Sequence, residues 1–393
     1  MDCYYRPTVA EISLDALDYN IGAFRERLSP GTKMLASVKA NAYGHGAAEI
    51  ARRAAAAGVD YLGVAFLDEA MQLRASGIDA PILVLGYTPP GGFSLAREHG
   101  ITLTLYRDDM LDHAEKLPAT GPKLKAHVKI DSGMGRLGLL PGRDAERFLE
   151  RACAIPQLEI EGLYTHFARA DEEDKGYTLM QAERFAAVAD YVRRAGLPIS
   201  IIHSGNSATG IDLPEHAGSM LRLGIGMYGL YPSEEVDGRQ VRLEPVLTLK
   251  TSIVHVKTLR AGEGISYGTQ YFTRGEESIG TLPIGYADGF SRMLSGKAEA
   301  LVRGRRVPVL GTICMDQCMI RLDDARKAGE TMIEPGEEVV LIGRQGDERI
   351  SADEVARKLG TINYEVACML AARVPRVYLS GGAIVAAVNP LRA

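Results

Sequence analysis

No apolar run in this chain approaches the length needed to cross a bilayer. The longest, such as "GGAIVAAV", fall far short of the roughly 20 residues a spanning helix requires. The opening "MDCYYRPTVAEISL" lacks a basic stretch followed by an apolar one, which argues against a secretory signal. Basic charge is not in surplus. The net charge is −5 and the pI is near 6.0, so nothing points to nucleic acid, and no run of like charge forms an interaction tail. Cysteine is scarce: Cys3, Cys153, Cys314, Cys318 and Cys368 are odd in number and scattered, as in a reduced cytoplasmic protein. Cys314 and Cys318 lie in "CMDQC", but no second Cys or His pair completes four ligands, so no metal is expected. No G-x-G-x-x-G follows the first strand, which weakens a dinucleotide reading.

What is present is ordinary in composition and ordered in pattern. The 393 residues are 46% hydrophobic and 24% charged, a mix that fits a globular protein of two domains. From about residue 34 to 228, eight short β-branched runs recur: "KMLASVK", "YLGVAF", "PILVLGY", "ITLTLY", "KAHVKI", "LEIEGLYTHF", "SIIHS" and "SMLRLGI". Segments with helical spacing, such as "AAEIARRAAAAG" and "YTLMQAERFAAVADYVRRAG", separate most of them. Strand–helix repetition means a parallel sheet, and eight units favour a closed (β/α)8 TIM barrel over an open doubly wound sheet. Near residue 240 the texture turns to β-runs punctuated by Gly, interrupted by one helical segment, "ISADEVARKLGTINYEVACMLAARV". The expected class is therefore α/β: a barrel over 14–240, then a mostly antiparallel β domain over 241–393. "TVAEISL" can pair with either domain; residues 1–13 are grouped with the second.

In a barrel the chemistry sits at the C-terminal ends of the strands. Lys39 ends the first. Lys129, Asp131 and Arg136 end the fifth and enter "KIDSGMGRLG". Tyr164 and His166 end the sixth; Ser204, Asn206 and Ser207 follow the seventh; Arg222, Gly224 and Ile225 end the eighth. Each alone is an ordinary solvated strand end. Their convergence on one rim is harder to obtain by chance. The loops after strands seven and eight, "HSGNSATG" and "RLGIGMYG", can hold a dianion on backbone N–H groups and hydroxyls, although the glycines also suit plain tight turns. A phosphate site facing a lysine across the rim implies pyridoxal 5′-phosphate, whose aldehyde an amine captures as a Schiff base.

With "SVKANAYGHG", "VKIDSGMGRLG", "THFARAD", "HSGNSA", "LRLGIGMYG", "GISYGTQY", "IGYADGF", "GTICMDQCMI" and "TINYEV" in this order, the chain resembles the alanine racemases, which are fold-type III pyridoxal-phosphate enzymes. The resemblance covers nearly the whole length. It implies that Lys39 carries the cofactor and acts as one base, with Tyr267 as the other. It implies that Arg222 faces the pyridine nitrogen and that His166 supports Arg222. Arg136 would contact the cofactor's phenolic oxygen and help hold the substrate carboxylate. Tyr43, Asn206, Ser207, Gly224, Ile225 and Tyr364 would bind the cofactor, most of them at its phosphate. Met315 would offer a backbone N–H to the carboxylate, with Asp316 beside it, and Tyr286 would narrow the entrance. Lys129 matches a position that is often carbamylated. Tyr267, Met315 and Asp316 would come from the partner in a homodimer with composite sites. The implied reaction interconverts L- and D-alanine and supplies D-alanine for peptidoglycan.

The chemistry explains this cast. Racemisation removes a proton from one face of Cα and returns one to the other, so two opposed bases are the simple solution. Arginine stays protonated, so Arg222 can only donate, which restrains delocalisation into the ring and limits transamination. Tyr364 and Tyr286 crowd the space for a side chain; a methyl group fits, and slow serine turnover follows from the small worth of one added group. A fold-type III decarboxylase is the nearest rival. It would carry an acidic residue where Arg222 stands and a cysteine motif near the second site. A non-catalytic pyridoxal-phosphate carrier would lack the β domain. A structural barrel whose lysine binds nothing, and a racemase with broader or serine specificity, are the remaining alternatives.

Overall fold

The computed structural model describes residues 4–325 and 331–392, so Cys3 and the first residues of the grouped segment 1–13 lie outside it. The contacts divide the chain into two compact units. One comprises residues 17–42 and 47–244, the other residues 1–16, 43–46 and 245–393.

The first unit is the barrel. Its eight strands are Lys33–Ser37, Tyr61–Val64, Ile82–Val84, Ile101–Leu105, Leu124–Lys129, Leu158–Tyr164, Ile201–His203 and Met220–Leu223. All neighbouring ladders are parallel, and the eighth strand pairs with the first, Leu35 opposite Arg222. These strands coincide with the eight β-branched runs because a sheet covered by helices buries both strand faces, which leaves nearly continuous apolar segments. Leu35, Tyr61, Leu83, Ile201 and Met220, from five different strands, pack into one buried cluster. Among the described residues the ladder is open between strands seven and eight, where a single antiparallel bridge joins His203 to Gly218. That seam is stitched by loop backbone: Ser219 N–H reaches the Ile202 carbonyl (2.8 Å), and Arg222 N–H reaches that of Gly205 (3.1 Å).

The second unit is built on a mostly antiparallel sheet. Val9–Ser13 joins it, antiparallel to Leu247–Ser252 and parallel to Arg376–Ser380. The pairing continues outward from Leu247–Ser252 through Glu338–Gln345, Glu299–Val302, Arg305–Leu310, Cys318–Arg321, Glu277–Leu282 and His255–Leu259. The helical segment expected to run unbroken from residue 350 is two helices, Ala352–Leu359 and Asn363–Cys368. Ser351 caps the first by accepting the Glu354 N–H (3.1 Å). Gly360 then takes the left-handed conformation at φ 76°, and Thr361 N–H returns to the Ala356 carbonyl, which ends the helix.

Candidate active site

The first barrel strand stops at Ser37, two residues short of Lys39. Val38 still pairs, its N–H donating to the Gly63 carbonyl (2.8 Å). After Lys39 the backbone enters an uncommon state: Ala40, Asn41, Ala42 and Tyr43 all have φ between 51° and 54°. Such a left-handed turn costs roughly 1–2 kcal/mol per non-glycine residue. Its polar groups are well used. The Glu69 carboxylate accepts the Ala40 N–H (2.6 Å), the Ala42 N–H returns to the Val38 carbonyl (2.8 Å), and the Asn41 side chain accepts the Ala47 N–H (2.8 Å). Glu69 also takes the Ala65 N–H (2.6 Å) at the start of its own helix, so one carboxylate ties two loops. Glu69 is a site residue that the sequence does not single out. A glutamate three residues into a helix is the visible signal, and it reads as a cap rather than a support for Lys39.

The loop after strand five is organised by Asp131. Its carboxylate accepts the N–H groups of Gly133 (3.0 Å), Gly135 (3.0 Å) and Arg136 (2.9 Å). Burial opposes ionisation, but these N–H groups prevail and hold the Asp131 carboxyl below its usual range. The loop thereby presents Arg136 at the surface. Beneath it Lys129 is buried, with its ammonium 4.9 Å from the Tyr164 ring centre. Burial and the charges of Arg136 and Arg222 bring Lys129 down to about 7.

Arg222 is the buried cation of the rim. Its guanidinium donates to the carbonyls of Thr165 (2.8 Å) and Ser204 (2.8 Å), to His203 Nδ1 (3.0 Å) and to His166 Nδ1 (3.1 Å). These acceptors are all neutral. Loss of hydration, with the charges of Arg222, Lys129, Arg136 and Lys39, keeps His166 from taking a second proton until well below the usual range. His203, also not singled out by the sequence, stacks on Tyr164 at 4.9 Å and 14°. Its signal is its place at a strand end in "HSGNSA", where the neighbouring Ser and Asn are the more obvious ligands.

Beyond strand seven, Asn206 uses its side-chain oxygen as a helix cap, accepting from Thr209 N–H (3.0 Å). Ser207 Oγ accepts the N–H groups of Gly224 (2.9 Å) and Gly226 (3.2 Å). A hydroxyl that accepts twice still has its proton to donate. Gly224 N–H is therefore committed to Ser207, while Ile225 opens the short buried turn behind it. Lys39, Lys129, Arg136 and Arg222 make the rim strongly cationic, and Asp131, the acidic group among them, is consumed by its own loop. That donor set fits an anionic, phosphate-bearing cofactor and a carboxylate substrate.

The remaining candidates lie in the second unit. The Tyr43 and Tyr364 rings are 6.2 Å apart. Gly44 and Gly46 lie behind Tyr43 at φ 85° and 100°; a β-carbon would strike the Ala367 carbonyl at the first and the Tyr378 hydroxyl at the second. Arg376 Nε holds the Gly44 carbonyl (2.9 Å). Tyr267 sits between Ser266 (φ 66°) and Gly268 (φ 71°), and is 73% exposed. Thr312 Oγ1 donates to the Tyr267 carbonyl (2.9 Å). Two backbone bonds, Tyr286 N–H to the Cys314 carbonyl (3.0 Å) and Ala287 N–H to that of Met315 (3.0 Å), zip the Tyr286 loop onto the Met315 loop. Arg373 pairs with Asp316 (2.6 Å) and with buried Asp288 (2.7 Å), a link the sequence does not signal. The unit thus gathers Tyr267, Tyr286, Met315 and Asp316 into one exposed patch, built on interlocked turns.

Known proteins give this geometry a family. A family description reading "Alanine racemase, N-terminal domain" matches residues 12–232, and "Alanine racemase, C-terminal domain" matches residues 246–378. An alanine racemase of Halalkalibacterium halodurans is 46% identical over 394 residues, covering 100% of both chains. Alanine racemase 1 of Bacillus subtilis is 44% identical over 99% of this chain and 97% of its own. Among solved structures, the Bacillus anthracis alanine racemase with bound L-Ala-P superposes with a TM-score of 0.92 at 42% identity, covering 99% of each chain. The Clostridium difficile enzyme in complex with cycloserine gives 0.90 at 40% identity, covering 98% of this chain and 99% of that one. Two family domains in the right order, and full-length likeness to proteins of one name, settle descent: the chain belongs to the alanine racemase family.

Proposed function

We propose that this protein interconverts L-alanine and D-alanine with pyridoxal 5′-phosphate as its resident cofactor. The observation that carries the reading is Arg222, a buried guanidinium at the barrel rim whose hydrogen bonds all go to neutral acceptors. It can stay charged and present a donor, but it cannot take a proton. The cofactor, when bound, supplies the electron sink that makes an amino acid's α-hydrogen removable.

The chain's own residues do the rest. Ser207 would donate its remaining proton to the phosphate, Tyr43 and Tyr364 would be further phosphate ligands, and Asn206, Gly224 and Ile225 would shape the cradle. Arg222 would donate to the ring nitrogen, and His166 and His203 hold Arg222 in place. Lys39, fixed by its left-handed turn, takes or returns the proton on one face of Cα. Tyr267 of the partner subunit serves the opposite face, which makes the working form a homodimer; its exposure in this chain supports that assignment. Arg136 and the backbone N–H of Met315 of the partner subunit would bind the substrate carboxylate, with the partner subunit's Asp316 beside it. Lys129, brought to about 7, is in part a neutral amine at physiological pH. A carbamate formed there would place an anion against Arg136. Tyr286 and Tyr364 leave room for a methyl group and little more. Among the described residues Cys153, Cys314 and Cys318 are free thiols, which suits a cytoplasmic enzyme. The D-alanine formed would serve peptidoglycan synthesis.

The test is a chiral assay of alanine with and without added cofactor. Racemisation that needs the cofactor and vanishes in Lys39→Ala is expected. Release of carbon dioxide instead, or racemisation of lysine or arginine as fast as alanine, would overturn the reading.

A further inference from the structure

Arg222 stands at the head of a line of polar side chains that runs through the barrel interior. His203 Nδ1 accepts from Arg222 Nη1 at 3.0 Å. His203 Nε2 lies 2.9 Å from His127 Nδ1. His127 Nε2 faces Glu161 Oε1 at 3.5 Å, an approach within ion-pair range that makes no hydrogen bond. Glu161 also receives Thr102 Oγ1 (2.9 Å), Tyr61 Oη (3.1 Å) and Lys125 Nζ (3.2 Å). Tyr61, Thr102 and Lys125 sit at or next to the first residues of their strands, so the line ends at the barrel face opposite the rim.

The protons in this line are assigned by elimination. Arginine can only donate, so His203 Nδ1 carries a lone pair. A neutral His203 then has its proton on Nε2 and gives it to His127 Nδ1. His127 in turn has its proton on Nε2, aimed at a carboxylate, which can only accept. Burial, with Arg222 among the contributing charges, holds both imidazoles below the usual range, in line with single-proton rings. Burial opposes ionisation of Glu161, but His127, Thr102 and Lys125 outweigh it and bring the carboxyl to about 2. Every donor therefore points the same way, from the cation at the rim to the anion at the far end.

We propose that Glu161 is a remote positioning residue: its charge favours the tautomers of His127 and His203 that Arg222 dictates, and through the two rings it steadies Arg222. The consequence for catalysis rests on the function proposed above; the tautomers do not.

The experiment uses holoenzyme labelled with 15N-histidine. Two-bond 1H–15N correlations, assigned with His127→Gln and His203→Gln, report which ring nitrogen is protonated. Both histidines are expected to be neutral and protonated on Nε2 from about pH 6 to about pH 9. A charged ring, or a proton on Nδ1 of either, overturns the proposal without any variant at Glu161. In Glu161→Gln the tautomers should persist, because Arg222 fixes them, but the His127 Nε2–H signal should shift and exchange faster, and kcat for alanine should fall about tenfold with KM little changed. Glu161→Asp, which keeps the charge, should restore most of both. A lower unfolding midpoint with the His127 signals and kcat unchanged would make Glu161 structural only and sink the idea. If alanine proves not to be a substrate, the tautomers are still read, so that failure is distinguishable from this one.

Discussion

Gly162 offers a sharp test of how tightly the barrel interior is built. It lies in the sixth strand opposite His127, where the pairing of strands five and six slips by one residue. A β-carbon at position 162 would stand 2.4 Å from His127 Cγ and Nδ1 and 2.5 Å from Cε1. No rotation relieves three ring atoms at once, so in Gly162→Ala the imidazole must move by about an ångström. Overpacking of this kind costs about 1–3 kcal/mol. Displacing the ring also breaks the 2.9 Å bond to His203 inside the barrel, and leaving buried polar groups unmet adds about 1–3 kcal/mol. A total near 3 kcal/mol should lower the midpoint of thermal unfolding by about 6–12 °C for a unit of this size. Gly22 is the internal control. It lies in the helix Leu14–Arg27 with nothing within 4 Å of an added β-carbon, so Gly22→Ala should raise the midpoint, by about 2 °C, through helix propensity alone. Calorimetry or circular dichroism on both variants decides the matter. If Gly162→Ala melts within a degree of the parent, the packing argument around His127 is wrong. If both variants shift in the same direction, the glycines differ in something other than the room around them.

Three further outcomes follow. Glu69→Ala removes the acceptor for the Ala40 and Ala65 N–H groups; it should cost about 2 kcal/mol and speed hydrogen exchange at Ala40, and unchanged exchange there would show that Glu69 does not hold the turn. Lys129 goes from its ordinary value in the unfolded chain to about 7 in the fold, so between about pH 7 and pH 10.5 the unfolded state binds more protons and stability rises with pH. Lys129→Met should therefore melt above the parent at pH 6, in buffer free of carbon dioxide, and lose that advantage by about pH 10; an equal difference at both ends would remove the buried charge from consideration. Tyr267→Phe should slow alanine racemisation by about 100-fold or more while leaving the unfolding midpoint alone, because the side chain is 73% exposed, and a variant that keeps its rate in both directions would exclude Tyr267 as a base.

The parts of this molecule legible in its sequence are those written in periodicity. Eight β-branched runs became eight barrel strands because burial on both faces leaves the same trace wherever it occurs. The rim residues are legible for a related reason: strand ends are easy to place, and a barrel puts its chemistry there. What stays hidden depends on register or on distant partners. His127 and Glu161 sit inside strands, where a polar residue gives no sign of what faces it, and only the slip at Ala126–His127 and the absent side chain of Gly162 let the rings meet. The apolar spacing that follows Ser351 continues beyond Gly360 and so reads as one helix, while the backbone stops there. Arg373 reaches Asp316 and Asp288 across long stretches of chain that no local pattern connects.

The turn after Lys39 shows why such gaps fall where the chemistry is. "KANAY" has alanine at two of the positions that become left-handed, and alanine strongly prefers the right-handed helix. Only Asn41 is a residue type that visits this conformation readily. Local preference therefore argues against the observed backbone, and something else must impose it. The constraints lie on both sides: the Gly63 carbonyl fixes Val38, Glu69 fixes Ala40, and Asn41 fixes Ala47. On the far side Gly44 and Gly46 pack so closely that no other residue fits without displacing Ala367 or Tyr378. A segment so over-determined can hold strain that a free loop would shed. The return is that Lys39 is carried by a short rigid turn, with few accessible alternatives for its backbone. The base role proposed for Lys39, meeting the same α-carbon in both directions of a reversible reaction, gains from a fixed position more than from reach. In that proposal the strain and the function are one feature: a sequence that satisfied local preference here would leave the lysine on a looser chain.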